Sequence, residues 1–261
     1  MMRSLILLAV LAAAVTQGKT VPRIPITRGS RIVNGYDAVR SQFPGMLSLQ
    51  VSSLHTCGAS ILNENWALTA AHCVKWYNAS SITLYAGSIY LSSGGTTHNV
   101  SEIVIHESYD GGDSLVNDIA VLKVSNPFQI DGVDVKPISL PPPDQNPPDG
   151  MLAEVIGWGE LGEHGDSSDT LQKVNLAIIN QAECRRIYVA EQEHVYDSQI
   201  CAGLPVGIGG SCRGDDGGPL IVEGNVVGLV SWSYHCALPE YPTVYTRVPV
   251  YVDWIKQNTG V

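Results

Sequence analysis

Ser211-Cys212-Arg213-Gly214-Asp215-Asp216-Gly217-Gly218-Pro219-Leu220 is a glycine-rich turn feeding an apolar strand. Two other segments bear on it. Leu68-Thr69-Ala70-Ala71-His72-Cys73 sets a His beside a cysteine, and Asn117-Asp118-Ile119-Ala120-Val121-Leu122 sets a carboxylate at the head of an apolar strand. Taken singly, each has a structural explanation: a tight turn, a stapled His, a strand-end Asp. A lone His or Asp is more often structural than catalytic. The combination in this order is far more specific.

Around these segments, from Ile32 onward, short β-type runs are broken by turn residues. Met46-Leu47-Ser48-Leu49-Gln50-Val51 and Ser81-Ile82-Thr83-Leu84-Tyr85 alternate, whereas Ile119–Val124 and Val226–Trp232 are denser apolar runs that read as more fully buried strands. Gly224-Asn225 between two Ile/Val pairs is a hairpin signal. Regular strands with turns favour barrels or sandwiches. Pro141-Pro142-Pro143 and Pro147-Pro148 mark an extended connector, because proline cannot donate to a sheet ladder. It is either a loop within one barrel or, as its mid-chain position favours, a boundary between two units. The one good helix is terminal, with Tyr251, Trp254, Ile255 and Asn258 on one face.

The 261 residues are 44% hydrophobic and 15% charged, enough for one large domain or two small ones with real cores. The five basic residues of the first 31 stand without an acid, and beyond them 10 basic face 25 acidic groups, a net charge of −15. That balance argues against nucleic-acid binding, which needs phosphate-neutralising Lys and Arg. Met1-Met2-Arg3 followed by the apolar run Leu5–Val15 reads as a signal peptide over residues 1–18. The run is too short to span a bilayer, and no later stretch is long enough, so a secreted, extracellular protein without a membrane anchor is expected. Six cysteines in that context imply three disulfides, with 15 pairings open to arithmetic alone. Asn78 and Asn99 head glycosylation sequons. No CxxC or HExxH spacing supports a metal site.

The three segments, with Arg31-Ile32-Val33-Asn34-Gly35, Gly157-Trp158-Gly159, Ser231-Trp232 and Val244-Tyr245-Thr246-Arg247-Val248, resemble the trypsin/chymotrypsin (S1) family of serine proteases over almost all of the chain after residue 31. The resemblance implies an all-β fold of two packed antiparallel β-barrels with a short C-terminal helix. The N-terminal barrel would cover about 32–140, the C-terminal barrel about 150–248 and the helix about 250–259, within a peptidase domain spanning 32–261. It also implies the disulfides Cys57–Cys73, Cys184–Cys201 and Cys212–Cys236.

In that family a Ser attacks the scissile carbonyl, a His takes its proton, an Asp orients the His, and backbone N–H groups hold the oxyanion. His72 matches the base, Asp118 its orienting carboxylate, and the N–H groups of Gly214 and residue 216 the oxyanion donors. At the nucleophile the family's Gly-Asp-Ser-Gly-Gly-Pro reads Gly214-Asp215-Asp216-Gly217-Gly218-Pro219, so the serine is Asp216. A carboxylate is weakly nucleophilic, and its attack on an amide would require an anhydride and expulsion of a poor amine leaving group. Loss of the nucleophile from this chemistry in another fold costs ~10⁶ in kcat. Two readings follow: a natural pseudoprotease that binds peptide, protein or a protease inhibitor, or an elastase/chymotrypsin-like endopeptidase carrying an inactivating change at 216.

Arg31-Ile32 matches the family's activation cleavage, which another protease would perform. It would release the pro-segment 19–31 and let the Ile32 α-amino group pair with Asp215. Gly210 stands where trypsin-like members carry the pocket-floor Asp, so a basic P1 residue has no anion to meet. Ser233 and Thr243 occupy wall positions that are glycine in trypsin- and chymotrypsin-like members, narrowing the pocket toward small or medium apolar residues. Ser231 and Trp232 would offer the strand for an extended peptide. The family's calcium loop falls near Leu91–Asn99 without any Asp or Glu, so neither metal nor organic cofactor is implied. By family analogy the expected state is a monomer.

Overall fold

A computed structural model describes residues 32–112, 114–204 and 209–261. The expected signal peptide (1–18), the pro-segment (19–31) and Arg31 lie outside the described residues. Among those described, the strands close into two six-stranded antiparallel barrels.

The first barrel is built from β2 (Met46–Val51), β3 (Leu54–Ile61), β4 (Trp66–Thr69), β5 (Ile82–Ala86), β6 (Thr96–Ile105) and β7 (Ala120–Val124), in the order β2-β3-β4-β7-β6-β5. The second uses β8 (Leu152–Gly157), β9 (Gln172–Ile179), β10 (Gln199–Gly203), β11 (Pro219–Val222), β12 (Asn225–Trp232) and β13 (Thr243–Arg247). Its order β9-β10-β13-β12-β11-β8 is closed by pairing of β8 with β9. A two-residue strand, β1 (Tyr36–Asp37), lies along the outer side of β9, and Ile32 is fully buried in the second barrel's core. The start of the described chain therefore packs on the second barrel, and the chain then crosses over to build the first.

Period-2 alternation explains β5, where Ile82, Leu84 and Ala86 point inward and Thr83 and Tyr85 are half-buried. In β2 the alternation understates burial. Leu47 and Leu49 fill the first barrel, but Met46 on the other face is buried too, against Ile156 and Trp158 of the second. Both faces of β2 are covered because the barrels pack on each other. A cluster of Leu68, Ile119, Val121, Leu229, Val248 and Ile255 forms the rest of that interface. The proline-rich connector lies between β7 and β8, joining the barrels.

Two α-helices are present among the described residues, not the single terminal one read from the sequence. The helix α1 (Gln181–Val189) is capped by Asn180, whose side chain accepts from the N–H groups of Ala182 and Glu183 at 3.0 and 3.1 Å. The terminal helix α2 (Val252–Thr259) buries Ile255 and ends at Gly260 with φ of 74°. Disulfides join Cys57–Cys73, Cys184–Cys201 and Cys212–Cys236, and no described cysteine is free. No described helix is long and apolar enough to cross a membrane.

Candidate active site

His72 sits in a one-turn 3-10 helix (Ala71–Cys73) directly after β4, pinned by the Cys73 disulfide. Asp118 precedes β7 and is fully buried. Because β4 and β7 are paired neighbours, the two residues meet at one barrel end. One Asp118 oxygen accepts the His72 backbone N–H at 2.8 Å, and the other lies 2.7 Å from His72 Nδ1. That second oxygen also accepts from Ser231 Oγ at 2.6 Å, and Thr246 Oγ1 donates to the Asp118 carbonyl at 2.7 Å. Both donors belong to the second barrel, so the imidazole is oriented by groups from both halves.

Asp216 comes from the turn between Cys212 and β11. Gly217, at φ of +71°, lets that turn press against the first barrel: a Cβ there would lie 2.3 Å from Thr69 Oγ1. The Asp216 carbonyl accepts from the Gly58 N–H at 2.7 Å. Its carboxylate is divided between two neighbours. Oδ1 lies 3.8 Å from His72 Nε2, and Oδ2 accepts from the Gly214 N–H at 3.3 Å. The structure thus brings His72, Asp118, Asp216 and Gly214 together.

The electrostatics follow from this arrangement. Burial lowers the His72 ring, but the hydrogen bond and charge of Asp118, with the charge of Asp216, outweigh it and leave the ring raised above its ordinary value. Removal from bulk water raises the Asp216 carboxyl, while His72 and the Gly214 N–H pull it back. With 31% of that side chain still exposed, remaining water tempers the rise. The outcome is an imidazolium-favouring ring between two carboxylates.

Asp215, one residue earlier, points the other way and is completely buried. Its oxygens accept from the N–H groups of Gly159 and Cys212 at 2.8 and 2.9 Å. Gly157-Trp158-Gly159 is glycine-flanked because that carboxylate fills the space: a Cβ on Gly157 would stand 2.1 Å from Asp215 Oδ1, and one on Gly159 2.6 Å from Cγ. Burial pushes Asp215 up to about 7 against the two hydrogen bonds, with Asp216 adding to the rise. Among the described residues it has no ion-pair partner.

Beside Asp216 opens a cavity of about 370 Å³, lined by Ser211, Arg213, Trp232, Ser233, Tyr234 and Glu163 among others. Of the pocket residues named from sequence, Trp232 and Ser233 line it. Thr243 is buried with its hydroxyl 3.0 Å from Ser211 Oγ, and Gly210 lies beside it. Ser231 turns its hydroxyl to Asp118 instead. Asn78 and Asn99 are both exposed.

Sequence reasoning missed His55. This half-buried ring lies between Ser48 Oγ at 2.8 Å and the Gly214 carbonyl at 2.9 Å, and its partial removal from water lowers its pKa. Through that carbonyl it anchors Gly214, the residue whose own N–H meets Asp216. No motif flags it; its partners are 7 and 159 residues away in sequence. Also missed was Tyr188 of α1, which stacks edge-on against Trp232 at 4.8 Å and backs the pocket wall.

The trypsin family model matches residues 32–255. Trypsin-1 of Astacus astacus is 44% identical over 241 residues, covering 87% of this chain and 99% of the relative. Trypsin delta and trypsin gamma of Drosophila melanogaster are each 40% identical over 262 residues, covering 99% of this chain and all of theirs. With its double barrel, the chain belongs to the trypsin family of S1 serine proteases.

Proposed function

We propose that this chain is a secreted, catalytically silent member of its family, made as a zymogen, whose cleft binds peptide or protein partners, protease inhibitors included. The observation that carries this reading is the double engagement of Asp216. One carboxylate oxygen faces the His72 nitrogen that would accept a nucleophile's proton, and the other occupies the Gly214 N–H that would hold an oxyanion. Both halves of acyl-transfer chemistry are thereby directed at a fixed negative charge. An oxyanion forming beside it would be repelled, and no hydroxyl stands at 216 to be deprotonated.

Around this centre the binding surface is complete. The pocket is open, its wall of Trp232 and Ser233 continues β12, and an extended peptide can add to that edge. Ser233 on the cavity wall, with no acid at Gly210, favours a small or medium apolar residue over a basic one. The N-terminal pattern and the disulfides support secretion, and Arg31-Ile32 supports activation together with the buried Asp215, which has no ion-pair partner among the described residues. Incubating homogeneous protein, processed after Arg31, with apolar-P1 peptides should give saturable binding and no cleavage products by mass spectrometry. Sustained cleavage by protein free of contaminating protease defeats the proposal.

The second reading is an elastase/chymotrypsin-like endopeptidase altered at one position. Two observations favour it: the His72–Asp118–Ser231 hydrogen bonds are intact, and the relatives carry the name trypsin. It requires a serine codon at 216 in the native transcript; an aspartate codon disposes of it.

A further inference from the structure

On the flank of the cleft, a row of aromatic rings runs from its wall to solvent. Trp232 meets Tyr188 at 4.8 Å, Tyr188 meets Tyr241 at 6.0 Å, and Tyr241 meets Tyr234 at 4.8 Å with the ring planes tilted by 38°. Tyr188 is fully buried and serves as the base, whereas Tyr234 is 45% exposed. The hydroxyl of Tyr241 donates to the half-buried carboxylate of Glu191, which fixes that carboxylate against the rings. Glu191 also acts on the Tyr234 hydroxyl by charge and hydrogen bond, raising it, and holds Tyr241 up at about 12. Glu240 adds to the field at Tyr241 and Glu193 to that at Tyr188.

Two carboxylates, Glu191 and Glu240, therefore act on the exposed Tyr234 and the half-buried Tyr241. Among the described residues no Lys or Arg is ion-paired with either of them. The neighbouring base, His235, is turned to Glu163 at 2.7 Å. A tyrosine pair presents the negative faces of its rings, and a fixed carboxylate beside them completes the surroundings a cation prefers.

We propose that Tyr234, Tyr241 and Glu191 form a cation-recognition subsite for a Lys or Arg side chain of the polypeptide seated in the cleft. The occupant is argued from two features. The aromatic row is continuous with Trp232 at the end of β12, where an extended peptide would add, so a side chain leaving that peptide outward reaches Tyr234. The charge also matches, since the chain beyond residue 31 carries a net charge of −15. Basic selectivity, which has no anion at Gly210, is thus placed on the flank of the cleft. The inference rests on the cleft being a peptide-binding groove and names the chemistry of its partner.

The test uses the full processed chain and fluorescein-labelled Ala/Gly heptapeptides with one Lys moved along the sequence. A matched set carries norleucine, which keeps the aliphatic stem and removes the charge. Fluorescence anisotropy should show Lys favoured roughly five- to thirtyfold over norleucine at one register, the range expected for a cation over aromatic faces. Glu191→Gln should erode that preference while leaving norleucine peptides unchanged, and Tyr234→Ala, which also alters the cavity lining, should weaken Lys peptides more than their norleucine counterparts. Equal binding of both sets, or a Lys preference that survives both substitutions, overturns the subsite while leaving peptide binding in place. Absence of binding by every peptide overturns both. Turnover of the peptides would sink only the silent-cleft reading, and the Lys preference would then be read from kcat/KM.

Discussion

Cleavage after Arg31 should change how stability depends on pH, because of one carboxyl. Burial holds Asp215 at about 7 against an ordinary value of 3.8. The folded chain therefore keeps this proton across a window in which the unfolded chain has released it. Stability falls as pH rises wherever the folded state binds more protons. For Asp215 that window runs from about pH 4 to about pH 7. Roughly three pH units at about 1.4 kcal/mol each give a loss of about 4 kcal/mol, complete above pH 7. Cleavage places an ammonium group at Ile32, whose side chain is already buried in the second barrel. On the proposed activation, its charge would stabilise the ionised Asp215 and remove the loss. The assay is reversible denaturant unfolding of two forms, one processed and one locked by Arg31→Gln, from pH 4 to 7.5. Other carboxylates are common to both and cancel in the difference. The processed form should gain up to about 4 kcal/mol on the locked form across the window, or ~8–16 °C in Tm at 2–4 °C per kcal/mol. Parallel pH profiles would mean that Asp215 is equally satisfied in both forms and that cleavage supplies it no counter-charge.

Gly159→Ala should destabilise by roughly 1–3 kcal/mol, because its Cβ would lie 2.6 Å from Asp215 Cγ and the buried carboxylate has nowhere to go; urea unfolding measures it, and a change below about 0.5 kcal/mol would contradict the packing. Replacing Cys184 and Cys201 by Ala opens a loop of sequence separation 17 and should cost about 3 kcal/mol on the chain-entropy model, read as a lowered Tm. By NMR, the His72 ring should titrate above an ordinary histidine, and Asp216→Asn should lower it by removing one of the two facing charges. Its protonated form is the one both carboxylates favour, so any stability it supplies is present at low pH and fades as pH rises through its raised pKa. An unchanged titration in the variant would mean that the 3.8 Å pair is not coupled.

The sequence made the double barrel legible because motifs, not periodicity, carried the information. Alternation located β5 but missed how deeply Met46 is buried, since inter-barrel packing covers a face that a single barrel would leave wet. The ten-residue β6 is mostly polar over Thr96–Glu102 and shows little strand pattern, because its outer face meets solvent. Helix α1 has a weak apolar face that gives little periodicity to read, though Asn180 followed by Glu183 is a capping signal visible in the sequence. At the site, the motif residues His72, Asp118, Gly214, Asp215 and Asp216 could be named in advance. His55, the turn of Ser231 toward Asp118, and the Tyr234–Tyr241–Glu191 cluster could not, because each depends on contacts between residues far apart in the chain.

On the proposed reading, Asp216 alone silences an otherwise assembled site. The direct measurement compares two proteins, each processed after Arg31, on small apolar-P1 peptide substrates: the chain with Asp216 and its Asp216→Ser variant. The serine variant should turn over and the aspartate chain should not, a difference on the order of 10⁶ in kcat for loss of a nucleophile from such a site. Comparable turnover by the two would contradict it.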